Sequence, residues 1–211
     1  MLARPVACLR LALVVGLFAG LGLAQTKTPD FTGVWTTYRG AGGGGGGRGA
    51  AQAELPYTEE AKRKIAEYRA LVSPAGDTPG GYCLGTGMPG SMLGSGGYPM
   101  EVIQRPDQIT VVYEAHNEIR RIYFGERIIP VRDRLPERDG YSTGRWEGDT
   151  LVVETAQLKE QVDQRFAHSD QARIVERYRL SEEDGRKVLT AEMTLTDPAF
   201  YTRPVSETKK W

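Results

Sequence analysis

Beyond Glu101 the chain stops repeating every 3.6 residues and alternates every two, and this alternation recurs in three successive units. In the first, Ile109, Val111 and Tyr113 alternate with Thr110, Val112 and Glu114; His116-Asn117 supplies a turn, and residues 119–124 return as the partner. In the second, residues 142–146 and 150–155 flank Glu147-Gly148, a connection suited to a tight hairpin. In the third, residues 173–180 and 187–196 flank a turn built from Ser181, Glu182, Glu183, Asp184 and Gly185. Successive side chains of a strand point to opposite faces, so each unit has one face for a core and one for water. A further strand, residues 30–36, centres on Trp35.

Only one segment carries a convincing helical stripe. Thr58 is placed to cap it, Glu59 and Glu60 suit the positive end of its dipole, and Ala61, Ile65, Tyr68 and Val72 recur at helical spacing before Pro74. The expectation is a mainly β protein with one α-helix, at about 58–72. Its antiparallel meander closes into a small barrel or a strongly curved sheet, which removes exposed edges.

The N-terminus has a different character. Arg4 and Arg10 precede or open an uncharged apolar run, residues 11–23, which ends in Gly22-Leu23-Ala24 before Gln25. A run this short, with these flanks, reads as a cleaved secretory signal over residues 1–24. Residues 25–211 then form one domain, periplasmic or secreted, with no membrane segment left after cleavage. The mature chain keeps 25 basic and 27 acidic residues without a block of like charge, which argues against nucleic acid as a partner. Cys83 is its one cysteine, so no intramolecular disulfide forms, and Cys83 reads as a small buried hydrophobe. Seventeen of the 26 glycines fall in residues 40–49 and 76–97. The stretch at 40–50 reads as a flexible loop; it lacks the Gly-Lys-Ser/Thr of a phosphate cradle.

Several strings resemble a known family. Phe31-Thr32-Gly33-Val34-Trp35 is similar to the Gly-x-Trp opening strand of lipocalin-like, or calycin, barrels. Pro99, Glu101, Gln104, Pro106-Asp107, residues 120–123, 144–153, His168-Ser169, residues 176–178 and Asp197-Pro198 resemble an uncharacterised family of secreted bacterial proteins with that type of fold. The resemblance runs from about Asp30 to Trp211. It implies export and a lipocalin-like barrel, and it implies no particular activity. Family members often carry His where Tyr141 stands, His near Ile129, and Trp in place of Val205.

Strand parity nominates the site. Ile174, Glu176, Tyr178 and Leu180 share the more apolar face of their strand, and Arg121 shares a face with Ile119 and Tyr123. A lone buried charge is costly, so an inward Glu176 and an inward Arg121 are expected to pair. With Tyr123, Trp146 and Tyr178 they form the expected ligand-binding set, although Trp35 and Trp146 also suit a purely structural plug. His168, or Glu176, is the candidate acid/base. Two histidines and Cys83 without close spacing make no metal site, and no cofactor is implied. Three readings follow: a binding protein for a small, largely apolar molecule held in the barrel; a periplasmic hydrolase or proton-transfer enzyme using His168 or Glu176; an envelope structural or interaction protein without a pocket.

Overall fold

A computed structural model of the protein describes residues 28–38, 54–73, 84–93 and 98–211. The expected signal peptide, the glycine-rich loop at 40–50 and Cys83 lie outside the described residues. Nine strands make one sheet in chain order: β1 (Gly33–Trp35), β2 (Met100–Gln104), β3 (Gln108–Tyr113), β4 (Glu118–Tyr123), β5 (Tyr141–Glu147), β6 (Thr150–Ala156), β7 (Arg173–Glu183), β8 (Arg186–Thr196) and β9 (Val205–Lys210). The sheet curls into a half-barrel, mostly β and compatible with a lipocalin-like fold. Between its two ends, the Tyr38 N–H donates to Lys210 O at 3.0 Å, and no ladder joins β1 to β9.

The alternation read from the sequence sets the faces of most strands. Ile109, Val111 and Tyr113 of β3 are buried, as are Ile174, Glu176 and Tyr178 of β7 and Leu189, Ala191, Met193 and Leu195 of β8. Three details differ from expectation. Glu147 pairs with Thr150, so the hairpin turn is Gly148-Asp149. The β7–β8 strands run further than expected and close on Asp184-Gly185, both at positive φ (53° and 70°), as a two-residue type I′ turn demands. And β4 meets β5 in parallel, across Ile122–Ser142 and Tyr123–Thr143 only, so the meander is interrupted there. Strands β2 and β9 had no counterpart in the sequence reading.

Two helices complete the fold, α1 (Glu59–Val72) and the short α2 (Gly90–Leu93). Thr58 caps α1: its Oγ1 accepts from the Ala61 N–H at 3.2 Å and donates to Ala199 O at 2.8 Å, so the cap also docks the helix on the β8–β9 connection. Ala61 and Ile65 are its buried face. The segment 84–93, which holds α2, lines the concave side of the sheet with Met88 and Met92, both fully buried. Trp35 is buried and donates its Nε1–H to Phe31 O at 2.9 Å, while the Trp146 ring lies 5.3 Å from that of Phe31. What remains open among Phe31, Met100, Val102, Ile109, Tyr113 and their neighbours is a cavity of ≈ 20 Å³, about the space of one water.

Candidate functional site

The polar centre of the molecule grows from the inner face of β4. Register with β3 sets that face: Arg120 stands opposite Val111 and Ile122 opposite Ile109, and both partners point inward. Arg120 is therefore the buried arginine, at 1 % exposure, and its side chain meets Glu176, at 0 %. Its Nη1 donates to Glu176 Oε1 at 2.9 Å, its Nη2 to Glu176 Oε2 and to Thr155 Oγ1 (2.8 Å), and its Nε to Ser142 Oγ at 3.1 Å. The Tyr178 hydroxyl donates to Glu176 Oε1 at 2.8 Å and lies 3.3 Å from Met92 Sδ. Burial alone would lower the Arg120 pKa; the Glu176 carboxylate more than reverses this and holds it raised. The expected Arg121–Glu176 pair is thus corrected to Arg120–Glu176. Arg121 is exposed, and with Ile119 and Tyr123 it occupies the outer face. The parity argument failed because each face of β4 carries apolar residues, Ile119 and Tyr123 on one and Ile122 on the other.

Two residues before Arg120, on the same face, Glu118 reaches the 84–93 segment. Its Oε1 accepts from the Gly87 N–H at 2.8 Å, and its Oε2 accepts from the Ser91 hydroxyl. Beside it stands Asp139. Burial first, then the Glu118 charge and a hydrogen bond shared with Glu118, push the Asp139 carboxyl up to about 7, although Arg120 pulls the other way. Asp139 Oδ1 is buried and meets no donor from the rest of the protein. A proton on Asp139 relieves its repulsion with the Glu118 charge. Gly140, at φ 64°, lets the chain pass here: a Cβ on it would lie 2.7 Å from Ala156 O.

The short parallel contact leaves β4 and β5 diverging, and residues 124–140 fold back beside the gap. The result is a pocket of ≈ 270 Å³ whose lining carries three arginines, Arg120, Arg121 and Arg134, and three carboxylates, Asp133, Glu137 and Asp139, together with Tyr123, Tyr141 and the apolar Ile119, Ile129 and Leu135. The rings of Tyr123 and Tyr141 stack at 5.1 Å, and the Arg134 guanidinium lies 4.3 Å over Tyr141. The Tyr141 hydroxyl accepts from the Ile129 N–H at 3.0 Å, which pins the loop to the sheet. Two larger clefts of ≈ 550 Å³ lie elsewhere, one between Thr32–Tyr38 and Trp211, the other beside α1 near Tyr57 and Arg165. Neither reaches the buried ionisable groups, and this one does.

His168 takes a different place. It is fully buried, exchanges backbone hydrogen bonds with Gln161 (2.9 and 2.8 Å), and its Nδ1 lies 2.9 Å from Phe166 O. A carbonyl can only accept, so Nδ1 carries the proton and Nε2, buried without a partner, bears a lone pair. Burial lowers its pKa and keeps the ring neutral. The neighbouring Ser169 is bound through N–H and Oγ to Asp197 (2.6 and 2.8 Å), a turn-forming contact. Neither His168 nor Glu176 lines the three clefts.

Of the nominated residues, Glu176 and Tyr178 come together at the centre, Trp146 joins the core beside Phe31, and Arg121 and Tyr123 meet at the seam pocket instead. Arg120, Glu118 and Asp139 were not nominated. Asp139-Gly140 reads as an ordinary turn in sequence, and nothing in one sequence separates Arg120 from Arg121. Among the described residues, no group of three or more His, Cys, Asp or Glu is placed to hold a metal ion. Comparison of the chain with protein-family models, curated proteins and solved structures finds no match.

Proposed function

We propose that this chain is an exported small-molecule-binding protein of lipocalin-like type whose ligand site is the seam pocket between β4 and β5. One observation carries the reading. The interior of the curled sheet, where such a ligand was expected, is filled down to ≈ 20 Å³, whereas the seam offers ≈ 270 Å³ with both apolar and charged walls. Ligand pockets combine an apolar lining with a few convergent polar groups, and Ile119, Ile129 and Leu135 with Arg121, Arg134 and Asp139 provide that mixture. The ligand is small and amphipathic. Export rests on the signal-like residues 1–24. Native mass spectrometry of protein purified from its own periplasm tests the reading: a co-purified small molecule, lost on Tyr123→Ala together with Arg121→Ala, is expected. A molecule retained by that variant would move the site elsewhere.

The enzymatic reading passes from His168 and Glu176 to Asp139. Asp139 combines a place in the pocket wall with a carboxyl that burial, and then the Glu118 charge, push up to about 7.

A further inference from the structure

We infer that the slot between β1 and the first residues of β8 is a docking site for an extended peptide with acidic side chains, taken up as an added strand. The slot shares no residue with the seam pocket.

Its width follows from the sheet. The bond from the Tyr38 N–H to Lys210 O sets the end of β1 beside β9, and β9 lies beside β8. Leu189 and Trp211 exchange both backbone bonds, and from there back to Arg186 no described residue pairs with β8 on that side. Over this stretch β8 faces β1 across a gap of one strand, so two strand spacings, about 9.5 Å, separate them. The cleft of ≈ 550 Å³ lined by residues 32–38, Arg186, Lys187 and Trp211 fills that gap.

Both walls turn backbone groups into it. The Arg105 N–H donates to Gln108 O and the Glu114 N–H to Pro99 O, so the odd-numbered residues of β2 face β3. Met100 and Val102 therefore bond Trp35 and Gly33, which leaves the N–H and C=O of Val34 and Thr36 directed away from the sheet. On β8, Lys187 has the parity of Leu189 and directs its own N–H and C=O at the slot. None of these groups has a partner among the described residues. Thr37 lines the slot as well, and its hydroxyl is buried without a partner. The β1 and β8 strands run in the same direction, so one inserted strand is antiparallel to both. Facing rows of free N–H and C=O groups are the template for strand addition.

Charge selects the strand. Arg186 and Lys187 are exposed, carry no ion pair among the described residues, and share the lining with no carboxylate. The acids of the nearby turn are outside the lining: Lys210 holds Glu183 at 2.6 Å, the Tyr38 hydroxyl donates to Asp184 at 3.1 Å, and Glu182 stands across from Lys187 without an ion pair. Successive residues point to opposite faces of β8, so an inserted strand meets a cation on each side. Val34, 70 % exposed, adds an apolar contact on the β1 wall.

Fluorescence anisotropy with labelled, end-blocked pentapeptides tests this. The probes are Val-Glu-Val-Glu-Val, its lysine counterpart, and the glutamate peptide N-methylated at alternate amides. The glutamate peptide is expected to bind about tenfold more tightly than either of the others, and less tightly as salt rises. Thr36→Pro removes an outward N–H at an edge position that tolerates proline, and should abolish binding while the melting temperature holds. Arg186→Gln with Lys187→Gln should weaken the glutamate peptide about tenfold, again without changing the melt. Equal binding of the N-methylated peptide would overturn strand addition, and equal binding of the lysine peptide would overturn the acidic assignment. Binding that survives Thr36→Pro, or no binding of any peptide at about 1 mM, would remove the slot as a docking site. Self-association of the wild type that Thr36→Pro abolishes would give the slot to a second copy of this chain and overturn the peptide assignment.

Discussion

At the residue scale, the Arg120–Glu176 pair and the Asp139 carboxyl make opposite demands. Arg120 and Glu176 are buried with their partners in place, so removing one leaves an uncompensated charge among apolar neighbours. Arg120→Ala and Glu176→Ala should each cost about 3–5 kcal/mol, while Arg120→Met with Glu176→Leu should be much milder. A double-mutant cycle in urea checks this, and additive single effects would dispose of the coupling. Asp139 behaves differently. Its folded pKa, about 7, lies above the unfolded value near 3.9, so the folded state binds the extra proton between those limits. That contribution is complete below the unfolded pKa and is lost as pH rises through about 7. His168 has the reverse sign: its folded pKa is depressed, so its contribution is present above about 6.5 and is lost as pH falls. Comparing the pH dependence of stability in wild type and Asp139→Asn isolates the first effect, and the variant's curve should fall less steeply towards pH 7. Identical slopes would show that Asp139 ionises normally.

At the element scale, local chemistry explains most of what forms. Thr58→Ala should remove the α1 cap and cost about 1 kcal/mol, lowering the melting temperature by about 2–4 °C. An unchanged melt would mean that the docking of α1 on Phe200 and Ala199 carries the helix alone. The β7–β8 turn offers a second test. Gly185, at φ 70°, sits where a Cβ is penalised, so Gly185→Val should destabilise by about 1–2 kcal/mol even though no atom lies within 4 Å of the added Cβ. These elements were legible because cap, stripe and turn are properties of adjacent residues. Strand β2 was not, although Met100, Val102 and Gln104 alternate with Glu101 and Ile103. Its second face carries Ile103, which is part exposed, and the pattern is too short to stand out. Strand β9, Val-Ser-Glu-Thr-Lys-Lys, has almost no apolar face and is held by pairing with β8.

For the whole molecule, one continuous sheet around one core predicts a single cooperative unfolding transition, with tryptophan fluorescence and far-ultraviolet circular dichroism coinciding. Separate midpoints would reveal a subunit of structure that the shared core conceals. The β character, the helix at 58–72, the three hairpin pairs and the inward place of Glu176 follow from the sequence alone, because period, capping and strand parity are encoded in residues a few positions apart. Three things were decided only by the tertiary structure. Pairing with β3 turned Arg120 inward and Arg121 outward, since a register shift of one residue exchanges the faces of a strand and β4 is apolar on both. The return of residues 124–140 made β4 and β5 parallel and opened a pocket between them, a consequence of long-range closure that leaves no local mark. Finally, the Asp139 carboxyl is pushed up to about 7 because folding buries it and sets it beside Glu118, 21 positions away in the chain.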